Sequence, residues 1–413
     1  MNNMNNGNYK QKLLIIVGAG ASIEFGMPSA NAISGIFRDL NIRKVKEDVV
    51  IYNYIEDNIQ KYFNLNPKKG LIKKTNFEEV LYLLYFIDSL YNSNYKNPIS
   101  VFIDPLNKTQ FFTEIKDKIS EFNFSNIANL LIDYLLKYFR DKCKDIQRKY
   151  NDELSKVRCF LEELSKEYEI GIISLNYDDI FYQAKQSLFT GFNSEGEFKP
   201  LDVLDRDKWD FIYYLHGSVH FDMKISETDS HKIFWQDNLN NEFSANSFGR
   251  NLNKTMEEVI LPNSVIIAGY EKTNQIQRNP FRTYYSIFDK LVYKADKFLV
   301  IGYGFGDIHV NNALNLIKEN RKRNIVIIDY SCDTQDPMAF RHDMFSYNLF
   351  KTIPASASQM GSKDSVATPF ISFLKEKKEF EISKNAEYPL SLWHNGFIEI
   401  CDNIDLLIKE LKN

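Results

Sequence analysis

With 413 residues the chain has room for two or three domains and a substantial core, which excludes a small scaffold dependent on disulfides or a structural metal. Lys and Arg number 51 against 55 Asp and Glu, a net charge of -4, so no global electrostatic drive favours nucleic acid or anionic lipid. The four cysteines, Cys143, Cys159, Cys332 and Cys401, are scattered and form no CxxC pair; they predict buried thiols in a reducing compartment and exclude a disulfide framework.

Residues 1–11 are polar and asparagine-rich and predict a flexible tail. They contain no apolar leader, and no stretch reaches the roughly 18 apolar residues that span a bilayer, so the expectation is a cytoplasmic protein without membrane contact. Leu13 to Pro28 reads LLIIVGAGASIEFGMP, a five-residue apolar run followed by a glycine-rich turn. Such a run suits a strand buried on both faces, and Gly18 and Gly20 allow a tight turn whose backbone N–H groups can face a phosphate. An ordinary strand-to-helix turn has the same sequence.

A helix is expected from Ser29 to Asp39, and helical periodicity then dominates residues 50–167, with Asn76 as an N-cap and Glu78 and Glu79 in the following first turn. Strand-like segments resume at Tyr168 to Leu175, Phe211 to Leu215, Ser264 to Ala268, Phe298 to Ile301 and Ile325 to Ile328. Helical stretches fall between them at Pro280 to Lys294 and Ile308 to Glu319. This alternation predicts an α/β fold, a doubly wound and mostly parallel Rossmann-like sheet with a large helical insertion after the first βα unit. Residues 12–49 and 168–350 form the sheet domain in this reading, 50–167 the insertion and 351–413 a C-terminal extension. That extension holds a strand at Lys351 to Pro354, a helix around Thr368 to Lys375 and a closing helix from Ile404 to Leu411.

Ligands of such sheets bind beyond the carboxyl ends of the strands, where the polar residues of this chain gather. Phe298 to Tyr330 reads as strand, Gly302, Gly304 and Gly306, helix, then a strand ending at Asp329, a βαβ unit able to hold a nucleotide with Asp329 toward ribose hydroxyls. A dinucleotide spanning the crevice would account for two glycine loops in one sheet. Asn176 with Asp178, and His216, follow two further strands, and an amide and an imidazole there can orient a ribose or water during cleavage at a sugar carbon. The bland alternatives are an Asx turn at Asn176 and a core histidine at His216. His220, His309 and His342 read as packing or surface, and no histidine or cysteine grouping has metal-site spacing.

Gly18-Ala19-Gly20-Ala21-Ser22 with Gly26-Met27-Pro28, Leu175-Asn176-Tyr177-Asp178, Leu215-His216-Gly217-Ser218 and Gly302-Tyr303-Gly304 occur in this order. The set resembles the sirtuin family, and within it the bacterial sirtuin-like NAD hydrolases of antiphage defence, including those paired with a HerA-type ATPase. The resemblance covers roughly residues 13–40 and 168–330. It implies that Gly18, Gly20, Ala21 and Ser22 meet phosphates, that Asn176 and Asp178 line the nicotinamide-ribose pocket, and that His216 meets ribose hydroxyls. Gly302, Gly304 and Asp329 would hold the adenosine half. Deacylating sirtuins usually carry two CxxC pairs for zinc, whereas Ser218 to Ile301 contains no cysteine, and Ser29-Ala30-Asn31 stands where an arginine is usual. The expectation is therefore an NAD+ glycohydrolase with Asn176 and His216 catalytic and with no zinc or other cofactor beyond the substrate. A homo-oligomer that docks on an ATPase, without direct nucleic-acid binding, completes it. A deacylase or ADP-ribosyltransferase, and a subunit that senses NAD or ADP-ribose without turnover, are the alternatives.

Overall fold

The structure, a computed structural model, describes residues 10–41, 124–224, 272–317, 323–330 and 390–413 continuously. Shorter stretches are described at 44–45, 49–65, 75–91, 113, 232–241, 253–254, 260–261, 264–269, 348–349, 352–353 and 379–382. The chain divides into two compact units, one of Met1–Met27, Lys142–His216 and Pro280–Asn413, the other of Pro28–Asp141 and Gly217–Asn279.

The first unit is built on a seven-stranded sheet: β1 Gln11–Val17, β2 Tyr168–Ser174, β3 Asp210–Tyr214, β4 Lys297–Ile301, β5 Ile325–Ile328, β6 Phe380–Ile382 and β7 Leu390–Trp393. Its spatial order is β6-β7-β5-β4-β1-β2-β3, parallel throughout except for the antiparallel edge pair β6–β7. Leu13 to Val17 are at most 1% exposed. Since successive strand residues point to opposite faces, both faces of β1 are covered, and burial of each side chain stabilises the fold by about 1.5–3 kcal/mol. The strand order reverses between β1 and β4, the arrangement that opens a ligand crevice at the carboxyl ends of these strands. Register brings those ends level: Val17 pairs with Ser174 on one side and Ile301 on the other, and Ile301 with Ile328.

Several features of this unit depart from expectation. Helix Asn151–Glu167 packs on β2 and belongs with the sheet, so the helical insertion does not run to residue 167. Residues beyond 350 are not merely an extension, because β7 inserts beside β5 in parallel and β6 closes the edge. Of the strand expected at Lys351 to Pro354, the structure describes Thr352 and Ile353, and neither is extended in a strand: Thr352 is helical, and Ile353 N–H donates to the Leu349 carbonyl one turn back at 2.8 Å. The helix expected at Thr368 to Lys375 lies outside the described residues, whereas the closing helix is present as Ile404–Lys412. Cys143 and Cys401 are buried as expected, but Cys159 is exposed on helix Asn151–Glu167.

The second unit carries helices Ala30–Arg38, Ile51–Leu65 and Phe77–Tyr91, part of the long helix Phe124–Lys149, and a hairpin of Phe221–Lys224 with Lys232–Trp235. Ser29 caps the first helix, and Asn76 forms a reciprocal capping box with Glu79, each side chain accepting from the other's backbone N–H. The segment Ser264 to Ala268 lies here and is not a strand. Ile266 makes one isolated bridge with Gly217, and the Gln275 side chain brackets Ala268, accepting from its N–H and donating to its carbonyl. At Ala268 a side-chain amide thus takes the place of a neighbouring strand and satisfies both polar groups of that buried residue.

Candidate functional site at the strand ends

The first glycine loop leaves β1 as a 3-10 helix, Ala19–Phe25, rather than the α-helix that the turn would open onto. Its backbone donors are engaged within the fold: Gly18 N–H reaches the Ile301 carbonyl at 2.9 Å, Gly20 N–H the Gly302 carbonyl at 2.8 Å, and Ala21 N–H the Gly18 carbonyl at 3.1 Å. The reason for glycine is the approach of the second loop. A Cβ on Gly18 would sit 2.7 Å from the Gly302 oxygen, and one on Gly20 would sit 2.7 Å from the Gly302 Cα. Gly302 itself has φ of 61°, and its Cβ would lie 2.6 Å from the Gly20 Cα. These three glycines therefore let two backbones touch. Gly304 and Gly306 differ, since a Cβ there meets nothing within 4 Å, and this stretch of the loop faces open space.

Asn176 follows β2 and bridges the loops. Its Nδ2 donates at 2.9 Å to the Gly18 carbonyl and at 2.9 Å to Ser22 Oγ. The amide orientation is forced, because the Gly18 carbonyl can only accept. Both amide hydrogens are thus engaged, and Oδ1 has no protein partner among the described residues. The Ser22 hydroxyl in turn hydrogen-bonds the Asp178 carboxylate, which is also supported by the Ile180 N–H at 3.3 Å and by its own backbone N–H. Burial is the main influence on Asp178 and pushes its pKa up to about 6, opposed by the Ser22 hydrogen bond and reinforced by neighbouring Asp179. Gly18, Asn176, Ser22 and Asp178 form one buried polar network of the kind that rigidifies a site when its members are satisfied.

His216 follows β3. Its Nδ1 lies 3.1 Å from the Leu175 carbonyl oxygen, and its Nε2 lies 3.1 Å from Asp307 Oδ2, close enough for charge pairing though not aligned as a hydrogen bond. Sequence reading missed Asp307. Its signal was present, an Asp directly before the helix Ile308–Leu314, and Oδ1 does cap that helix by accepting from His309 and Val310 N–H. The turn carrying it contains Phe305 with φ of 53°, the one non-glycine residue at positive φ among the described residues, and its side chain is fully buried. Tyr303 braces the turn, its hydroxyl donating to Asn311 Oδ1 at 2.8 Å and accepting from Asp307 N–H at 3.2 Å.

Asp329 ends β5 with its N–H on the Trp393 carbonyl and its Oδ1 accepting from Tyr330 N–H at 2.8 Å. The site residues predicted from sequence therefore all stand at the carboxyl edge of one sheet. Direct contacts join Gly18, Gly20, Ala21, Ser22, Asn176, Asp178 and Gly302, while His216 pairs with Asp307 and Asp329 hydrogen-bonds its own turn. His220 stacks on Trp235 with ring centroids 4.4 Å apart, the packing role expected of it, and His342 lies outside the described residues. Among the described residues no group of three or more His, Cys, Asp or Glu side chains could hold a metal ion, and no helix is long and apolar enough to cross a membrane.

Among solved structures, a mutant Sir2 homologue in complex with 2'-O-acetyl ADP ribose is 14% identical, with 77% of this chain and 80% of that chain covered at a TM-score of 0.34. A Sir2 homologue in complex with NAD is 13% identical, with 78% of each chain covered at a TM-score of 0.32. A sirtuin solved in a study of substrate affinity is 13% identical, with 96% of this chain and 94% of that chain covered at a TM-score of 0.34. Comparison with curated proteins finds no match. Residues 171–346, which run from within β2 through the His216 and Asp307 segments and past Asp329, match the family model of the SIR2-like domain.

Proposed function

We propose that the chain is an NAD+ glycohydrolase that cleaves the bond between nicotinamide and ribose. The observation that carries this reading is the buried Gly18–Asn176–Ser22–Asp178 network at the β1/β4 reversal of strand order, within a chain whose residues 171–346 match the SIR2-like domain. The network holds Asn176 with its Oδ1 available, so the residue is prepared to accept from a ribose hydroxyl or from the attacking water. In the reaction the C1'–N bond breaks and its electron pair leaves with the ring nitrogen, turning the pyridinium into neutral nicotinamide. Water supplies hydroxyl to C1' and releases one proton, leaving ADP-ribose. The positive charge already on the leaving group explains why the paired carboxylates of ordinary glycosidases are not needed.

Gly304, Gly306 and the Asp329 edge suit the adenosine half in this reading, and Ser22 and Ala21 the phosphates. Because Gly20 and Ala21 N–H groups already have acceptors, phosphate would be met by the outer side of the loop. No cofactor beyond the substrate is invoked, and the sequence from Ser218 to Ile301 offers no thiols for a zinc site. The finer reading, resting on motif resemblance, is a cytoplasmic NAD-depleting effector of antiphage defence, a homo-oligomer controlled by a partner such as a HerA-type ATPase. The test is incubation of the purified chain with NAD+, alone and with the product of the adjacent gene, following nicotinamide by chromatography. Release of nicotinamide without any acyl-peptide supports hydrolysis; no release in either arm refutes it.

A further inference from the structure

The helix Phe397–Asp402 starts without a cap of its own. Gly396 stands at its N-cap with φ of 89° and offers no side-chain acceptor for the free N–H groups of the first turn. The acceptor comes from the first glycine loop. Glu24 Oε2 takes Phe397 N–H at 2.9 Å and Ile398 N–H at 3.0 Å, and a carboxylate suits this place because a helix N-terminus carries partial positive charge. Glu24 lies two residues after Ser22 in the same 3-10 helix, Ala19–Phe25. The start of the C-terminal helix is itself tied to the sheet: Gly396 N–H donates to the Asp329 carbonyl at 3.0 Å, and the Gly396 carbonyl accepts from Trp393 Nε1 at 3.1 Å.

The side chain of Phe397 reaches the other half of the buried polar network. The residue is 2% exposed, and its ring lies between Phe181, 5.5 Å away and nearly parallel at 17°, and Phe160, 5.4 Å away and perpendicular. Phe181 belongs to the helix Ile180–Ala184, whose first N–H bonds the Asp178 carboxylate. Phe397 is therefore joined by its backbone to the segment of Ser22 and by its ring to the segment of Asp178. These segments are a 3-10 helix of seven residues and an α-helix of five, too short to hold a position alone, so the surfaces they pack on set it. Asn176 donates to Ser22 Oγ, and Ser22 bonds Asp178, so the two segments meet at this amide.

We propose that Glu24 and Phe397 are positioning residues for the cleavage, a clamp that fixes Ser22 and Asp178 against each other and so aims the Asn176 amide. Both lie outside residues 171–346, the stretch that matches the SIR2-like domain. The inference rests on the glycohydrolase reading for the step it serves, and neither residue is assigned a contact with substrate.

The test uses the full chain carrying Glu24→Ala, Glu24→Gln or Phe397→Leu. Glutamine keeps an oxygen that can accept both N–H groups, and leucine keeps the site apolar while removing the ring. In Glu24→Ala, kcat for nicotinamide release should fall about tenfold with KM within about threefold, the signature of a displaced transition-state contact. Phe397→Leu should follow it, whereas Glu24→Gln should stay within about threefold of wild type in both constants. Added to Asn176→Ala, Glu24→Ala should cost less than about threefold more, since the amide it acts through is already gone. Hydrogen exchange followed by mass spectrometry needs no turnover. In Glu24→Ala it should be faster than wild type in Ala19–Phe25 and also in Ile180–Ala184, although Glu24 sits only in the first. Unchanged exchange in Ile180–Ala184 overturns the clamp, as does undiminished kcat in Glu24→Ala or a Glu24→Gln variant as slow as alanine. If the wild-type chain releases no nicotinamide, the glycohydrolase reading falls and exchange alone decides the clamp.

Discussion

Replacing Asn176 with alanine separates the structural work of its amide from its chemistry. The substitution removes two hydrogen bonds, to the Gly18 carbonyl and to Ser22 Oγ. Neither partner is orphaned: the Gly18 carbonyl keeps Ala21 N–H at 3.1 Å, and Ser22 keeps Asp178 as its acceptor. The loss is therefore two net bonds of about 1 kcal/mol each rather than a full desolvation penalty, about 2 kcal/mol in all. That corresponds to a drop in Tm of roughly 4–8 °C for a unit of this size. Turnover should fall about a hundredfold or more per folded molecule, on the scale of deleting one preorganised catalytic group. Binding of NAD+ should persist, since the proposed phosphate and adenosine contacts lie on other residues. Asn176→Asp is nearly isosteric yet places an oxygen 2.9 Å from the Gly18 carbonyl, so at neutral pH it should destabilise more than alanine does. The assays are thermal unfolding, NAD+ hydrolysis normalised to folded protein, and calorimetric titration with NAD+. An unchanged Tm would refute the network reasoning, and turnover within threefold of wild type would refute the catalytic assignment.

The two loops give opposite expectations for the same substitution. Gly302→Ala forces an alanine into positive φ, at about 1–2 kcal/mol, and drives its Cβ into the first loop, so little folded protein should be recovered on expression. Gly304→Ala should leave Tm within about 1 °C, since it meets open space, yet weaken NAD+ binding measurably if that face receives the nucleotide. Asp178 has a folded pKa raised from 3.8 to about 6, so the native state holds its proton more tightly than the unfolded chain. Its contribution to stability is therefore largest below pH 3.8, declines as pH rises to about 6 and is flat above, a span of about 3 kcal/mol. Urea unfolding of wild type and Asp178→Asn should show stabilities that converge on acidification through this window; parallel profiles would contradict the buried carboxylate. Asp329→Ala should weaken affinity for both NAD+ and ADP-ribose, and equal affinities for wild type and variant would remove Asp329 from the adenosine half.

Local signals in the chain were sufficient for most elements. Leu13 to Val17 suited a strand covered on both faces, Asn76 with Glu79 announced a helix start, and Phe298 to Asp329 displayed a whole βαβ unit. Each rests on interactions among residues close in sequence or on a short apolar run bounded by glycines. The polar residues after the strands were legible for the same reason, since parallel strands of one sheet deliver their carboxyl ends to one edge. What only the tertiary structure decided depends on partners far apart in the chain. Ser264 to Ala268 has the composition of a strand, but among the described residues it pairs through a single bridge at Ile266, and a glutamine side chain bonds Ala268. Residues 380–393 supply two strands because β5 left an edge to be paired, a vacancy that no local pattern encodes. Gly18 and Gly20 read as a phosphate cradle until Gly302 came within contact of both. His216 and Asp307 were each visible alone, but a charge acts through distance in space, and the fold set theirs at 3.1 Å.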